Sequence, residues 1–192
     1  MKSHLRFVLR LTLAMVALFA FGNMIPSAAG ATFRWDTISQ TFPGGVPTLN
    51  TGGSDYALAA DLTTIQISGS GTFGGGVPPT GGGTWATSGP SGTASGTFTV
   101  TGVVRFTVAP GSLPPGVIDN IGPNARSGLA VFNIKYSDGS TGVLTVSCHL
   151  PVGSPSGIFE GITATKGFVA FHERVPPVPG VDANRTAFHV LP

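Results

Sequence analysis

Along residues 93–108, TASGTFTVTGVVRFTV, Ala94, Gly96, Phe98, Val100, Gly102, Val104, Phe106 and Val108 fall on one face. Thr93, Ser95, Thr97, Thr99, Thr101, Arg105 and Thr107 fall on the other, with Val103 the exception. Alternation with a period of two predicts an antiparallel strand with one buried face. At about 3.3 Å per residue the segment would run roughly 50 Å, too far for a small domain, so it must bend. Gly102 is the expected corner.

The same pattern recurs. In IQISGSGTF, 65–73, Ile65, Ile67, Gly69, Gly71 and Phe73 share a face. GLAVFNIKY, 128–136, places Ala130, Phe132, Ile134 and Tyr136 together. The turn signal Ser137-Asp138-Gly139-Ser140 follows, and GVLTVSCHL, 142–150, returns with Leu144, Val146, Cys148 and Leu150 inward. A strand is expected over about 158–172, with a bulge near Lys166-Gly167, and another opens the domain at 33–42. No stretch has a helical stripe. The fold class is therefore all-β, with seven or eight antiparallel strands. The bent long strands favour a barrel, with a β-sandwich as the alternative.

Composition sharpens this picture. The 29 Gly and 16 Pro cluster at 43–54, 74–92 and 110–123, between the patterned segments, and so read as loops. The alternating glycines on strand faces leave room there. The inward residues Phe98, Val100, Phe106, Phe132 and Tyr136 are then the candidate lining of an apolar ligand site. The barrel domain is expected over 32–175, followed by a loose Pro-rich tail, 176–192, that begins in VPPVPG.

The first residues read as a leader. Lys2, Arg6 and Arg10 precede an apolar run at 11–21, Pro26 breaks it, and Ala29-Gly30-Ala31 fits a signal-peptidase site. A signal peptide over 1–31 implies a secreted or periplasmic protein. The apolar run falls short of the roughly 20 residues a membrane span needs, and no span is expected after cleavage. Three of the ten Lys and Arg lie in the leader, whereas all eight Asp and Glu lie beyond it. The basic balance of the full chain thus comes from the leader, no basic stripe remains, and nucleic acid is not an expected partner.

The chemistry on offer is sparse. Cys148 is the only cysteine, so no internal disulfide forms. Cys148 and His149 are neighbours on a strand and point to opposite faces. Cys148 then reads as a small buried hydrophobe. The histidines at 149, 172 and 189 lack the spacing of a metal site, and no metal or cofactor is expected. GSGTFG at 69–74 matches a dinucleotide fingerprint in letters only, since GGVPPTGGG follows it and no helix starts there. Glu160 is the candidate catalytic group. Counted from Ile158 it faces inward with Ile162 and Ala164, and counted from Phe159 it faces solvent. Inward, its pKa would rise and it would serve as acid or base.

SGIFEG at 156–161, with a G-S loop before it and Gly167-Phe168-Val169 after it, resembles a segment of the plant allene oxide cyclases over residues 143–173. Dirigent proteins, which share that barrel, have a similar hairpin. The resemblance implies an eight-stranded calycin-like barrel, often trimeric, with an apolar cavity and no cofactor. It carries no catalytic residue onto this chain. The chain as a whole also resembles uncharacterised bacterial secreted proteins, which implies no activity. The leading expectation is a non-catalytic exported barrel that binds a small apolar ligand. The others are a cofactor-free isomerase or cyclase using Glu160, and a structural or adhesion module without a cavity. Self-association into a homo-oligomer fits the family likeness.

Overall fold

The computed structural model describes residues 30–177 and 184–192. Over these residues the alternating segments become twelve strands: β1 (Thr32–Thr41), β2 (Thr48–Thr51), β3 (Asp55–Ala59), β4 (Thr64–Gly74), β5 (Gly82–Ser88), β6 (Ala94–Ala109), β7 (Ile118–Asp119), β8 (Ala125–Tyr136), β9 (Thr141–Cys148), β10 (Gly161–Lys166), β11 (Val169–Arg174) and β12 (Thr186–Val190). The one helical segment among the described residues is a 3₁₀ turn at Pro43–Gly45. No helix among them is long and apolar enough to cross a membrane. The leader expected over 1–31 lies, except for its last two residues, outside the described residues.

The sheet order is β6-β5-β4-β3-β11-β10-β9-β8-β12-β1-β2-β7, with further pairings β6–β8 and β4–β1. The β6–β8 pairing returns the sheet to its start. Eight strands, β3 to β6 and β8 to β11, thereby form a closed, barrel-like ring. β12 and β1 bridge the same wall further along: β12 pairs with β8 at Arg126 and Ala125, and β1 pairs with β4 from Ser70 to Gly74. β2 continues from β1, β7 adds to β2 in parallel, and both lie outside the ring.

β6 bends where its sequence predicts a corner. Its register against β8 shifts between Val100 and Gly102, and again between Val103 and Arg105. Each shift inserts one unpaired residue, so two of them restore the alternation. Phe106 therefore keeps the same inward sense as Phe98. The one-face reading of β6 needs correction beyond the corner, because Val104 and Val108 are exposed.

Two further expectations are corrected. The single strand over 158–172 is a hairpin: β10 and β11 pair Lys166 with Val169 around Gly167-Phe168, and Gly167 has φ +57°. What reads as a bulge is a two-residue turn. The loose tail over 176–192 also needs correction, although 178–183 lie outside the described residues. Thr186, Ala187, Phe188 and His189 are all buried, and β12 pairs with β1 over five residues, Phe33 to Thr37. TAFHV pairs with β1 on one side and β8 on the other and is buried on both faces, so it fills the wall between them.

The inner faces meet in one core. Trp35, Phe73, Phe98, Phe132, Tyr136, Phe171 and Phe188 are all buried within it. The glycines on β4 make this possible. A Cβ on Gly71 would lie 2.2 Å from the Thr80 carbonyl oxygen and 2.7 Å from the Trp35 indole nitrogen; one on Gly69 would lie 2.9 Å from Phe98. The space they leave is occupied by the chain's own aromatic rings. A second, smaller core of Ile38, Leu49 and Ala187 lies on the outer face of β1 and β12, packed against Leu113, Val117 and Ile121 of the 110–122 flap.

Candidate functional site

The five aromatic and aliphatic residues expected to line a ligand site are brought together, but as packing. Phe106 lies with its ring centroid 4.6 Å from that of Phe33 and 4.7 Å from that of Phe73, and Phe73 stands edge-on to Phe132 at 5.3 Å. Tyr136 packs edge-on against Trp85 at 5.5 Å and near Phe98 at 6.5 Å, and its hydroxyl donates to the Thr165 carbonyl at 2.8 Å. Burial raises its phenol pKa. Val100 is buried beside them. Phe98 and Tyr136 also reach an open surface depression of ≈ 340 Å³, among Thr97, Thr99, Lys135 and Ser137.

A different hollow lies outside the ring, between the β1–β12 wall and the flap. It is a cleft of ≈ 260 Å³. Ile38, Leu49, Leu113, Val117, Leu150 and Ala187 supply apolar walls, and Gln40, His149, Glu160 and Arg185 bring polar groups to it. Main-chain bonds hold these elements in place. Ile38 N–H donates to the Arg185 carbonyl at 2.9 Å, Leu150 N–H donates to Ser127 Oγ at 3.0 Å, and Ser112 and Val152 exchange backbone bonds that tie the flap to the loop after β9.

Glu160 sits where the wall is incomplete. β9 stops at Cys148 and β12 starts at Thr186, with no ladder between them. Two backbone donors would be left without strand partners there. Glu160 accepts both, at 2.5 Å from His149 N–H and 2.6 Å from Thr186 N–H, one on each carboxylate oxygen. Thr186 Oγ1 donates in turn to the Ser147 carbonyl at 2.7 Å. The carboxylate thus points into the wall and replaces a missing rung. It contacts His149 through the main chain and forms no pair with the imidazole.

Burial pushes the Glu160 pKa up to about 8, against the pull of these two amides and of Arg185. Beside it, Asp55 on β3 is fully buried, and neither of its oxygens has a hydrogen-bond partner of good geometry. Burial and the neighbouring Glu160 push its carboxyl well up, and the Arg185 main chain and charge offset this only in part. Cys148 is buried among the core side chains, as expected from its strand position. Burial and the same two acids push its thiol well up, away from thiolate chemistry.

A second polar group lies on β1, β7 and β12. Arg34 makes a bidentate bond to the fully buried Asp36, at 2.7 and 2.8 Å, and His189 Nε2 lies 2.8 Å from Asp119 Oδ2. Desolvation raises the Asp36 pKa in spite of Arg34. Among the described residues no group of three His, Cys, Asp or Glu is placed to hold a metal.

Asp55, Arg185 and the flap residues Leu113 and Val117 were not legible as site residues. Asp55 carried one signal: in DYALA it occupies the inward row with Ala57 and Ala59, all buried. Arg185 lay in the stretch read as tail. No family model, no curated protein and no solved structure matches the chain.

Proposed function

We propose that the protein is an exported binding module that takes a small apolar molecule in the cleft between the β1–β12 wall and the 110–122 flap. The observation that carries this reading is the cleft itself. Its ≈ 260 Å³ lie between apolar side chains of β1, β2, β12 and the flap, with few polar groups converging on it. That is the composition of small-molecule sites, whose volumes start at roughly 300 Å³. The packed aromatic core speaks against the ring interior as the binding place.

A neutral fluorescent probe such as N-phenylnaphthylamine tests this. Its emission should rise on mixing with the protein, and Leu113→Trp, which fills the cleft from the flap side, should abolish the rise. An absent signal, or one indifferent to Leu113→Trp, would leave the structural or adhesion module as the better reading. That second reading is favoured by the filled interior. The isomerase reading rests on Glu160 alone, and both of its oxygens already serve main-chain donors.

A further inference from the structure

The cleft is lined by one arginine whose side chain makes no hydrogen bond or ion pair among the described residues. Arg185 immediately precedes β12, and its main chain is fixed by the Ile38 N–H bond at 2.9 Å. Its side chain lines the cleft. Among the described residues the guanidinium has no hydrogen-bond or ion-pair partner, and its Nε is buried. Half-buried arginines rarely stand so, because guanidinium is a fork of donors shaped for a planar anion.

The acids nearby do not fill this role. Glu160 gives its oxygens to His149 N–H and Thr186 N–H. Asp55 is shut inside the wall and makes no side-chain bond to Arg185. Burial raises both of their pKa values, which weakens the charge either offers to Arg185. His149, the other titratable group at the cleft, can add only positive charge. The cleft therefore joins apolar walls to a guanidinium that no anion hydrogen-bonds among the described residues.

We propose that the occupant is a small amphiphilic carboxylate, its apolar body against Leu49, Leu113, Val117 and Ala187 and its head on the Arg185 guanidinium. This rests on the cleft being the binding site. A carboxylate suits the fork because it accepts two parallel N–H bonds, and water excluded by the walls strengthens the pair. A neutral apolar molecule of the same shape would bury the guanidinium without a partner, which is costly.

Calorimetric titration at pH 7 with octanoate and with 1-octanol separates the two levels of the reading. The wild-type protein should bind octanoate at least about tenfold more tightly than octanol, the scale of a charge-assisted bond. Arg185→Gln should remove that preference by weakening octanoate, while octanol, which no longer buries an unpartnered guanidinium, binds at least as tightly as to the wild type. Equal affinities in the wild type, or a preference that survives Arg185→Gln, would overturn the carboxylate assignment while sparing the cleft. Binding of neither compound would overturn both. If Arg185→Gln does not fold, Arg185→Lys takes its place: it keeps the charge and loses the fork, so the preference for octanoate over octanol should shrink several-fold, and an unchanged preference would count against the assignment.

Discussion

Glu160 shows how one side chain can stand in for a strand. Two backbone donors depend on it, and leaving a buried donor unmet costs about 1–3 kcal/mol. Glu160→Ala should therefore lower the unfolding free energy by several kcal/mol in urea titration. Glu160→Gln should cost less, since its amide oxygen still accepts one of the two bonds. The proton adds a pH dependence. The folded-state pKa of about 8 lies above the ordinary 4.5, so the native protein binds this proton more tightly than the unfolded chain does. Stability is then full below about pH 4.5 and is lost as pH rises towards 8. Asp36 and Asp55 are raised as well and act in the same sense. The melting temperature should fall between pH 5 and pH 8, and the fall should be shallower in Glu160→Gln. A fall as steep in Glu160→Gln as in the wild type would show that Glu160 titrates normally. The sequence held the residue but not its direction. Its phase depended on where the 158–172 pattern broke, and the acceptor role arises from a gap between β9 and β12 that no local pattern encodes.

At the scale of elements, legibility followed the length of the alternation. β8 and β9 could be read almost to their ends because about eight residues share one phase and an Asp-Gly turn fixes the hairpin, whereas two register shifts break the phase of β6 beyond Val100. The β10–β11 turn was missed because Gly167-Phe168 lacks that signal, and the outward Phe168 resembled a slip of phase. β12 was missed because TAFHV, buried on both faces, shows no alternation and follows a Pro-rich stretch. Its importance lies in partners far away in the chain. Phe188 is fully buried, with its ring 5.3 Å from that of Phe106. Phe188→Ala should cost about 3–5 kcal/mol by chemical denaturation. A chain ending at residue 183 should lose its cooperative transition, since the β8–β12–β1 link goes with it. A truncated protein that melts like the full chain would restore the reading of 184–192 as a loose tail.

The whole molecule sets its two hollows apart. Inside the ring, glycines make room that Trp35 and Phe98 take up; outside it, the flap stands off the β1–β12 wall and leaves a cleft. Sequence periodicity identifies inward faces but not whether opposing faces meet. Phe98, Val100, Phe106, Phe132 and Tyr136 could therefore be read as lining before the rings were seen to touch. The two hollows give opposite expectations for two substitutions. Phe132 is fully buried in the ring core, so Phe132→Ala should cost about 3–5 kcal/mol. For a domain of this size that lowers the melting temperature by roughly 10 °C or more. Affinity for a cleft ligand should stay within about twofold, because distant sites act nearly independently. Leu113→Trp should do the reverse, with little change in melting temperature and loss of binding. The same ligand raises the melting temperature of whichever form still binds it, by RT ln(1 + [L]/Kd) in free energy. Thermal scans of both variants with and without octanoate read both effects at once. A ligand shift that disappears in Phe132→Ala and persists in Leu113→Trp would move the binding site from the cleft to the interior of the ring.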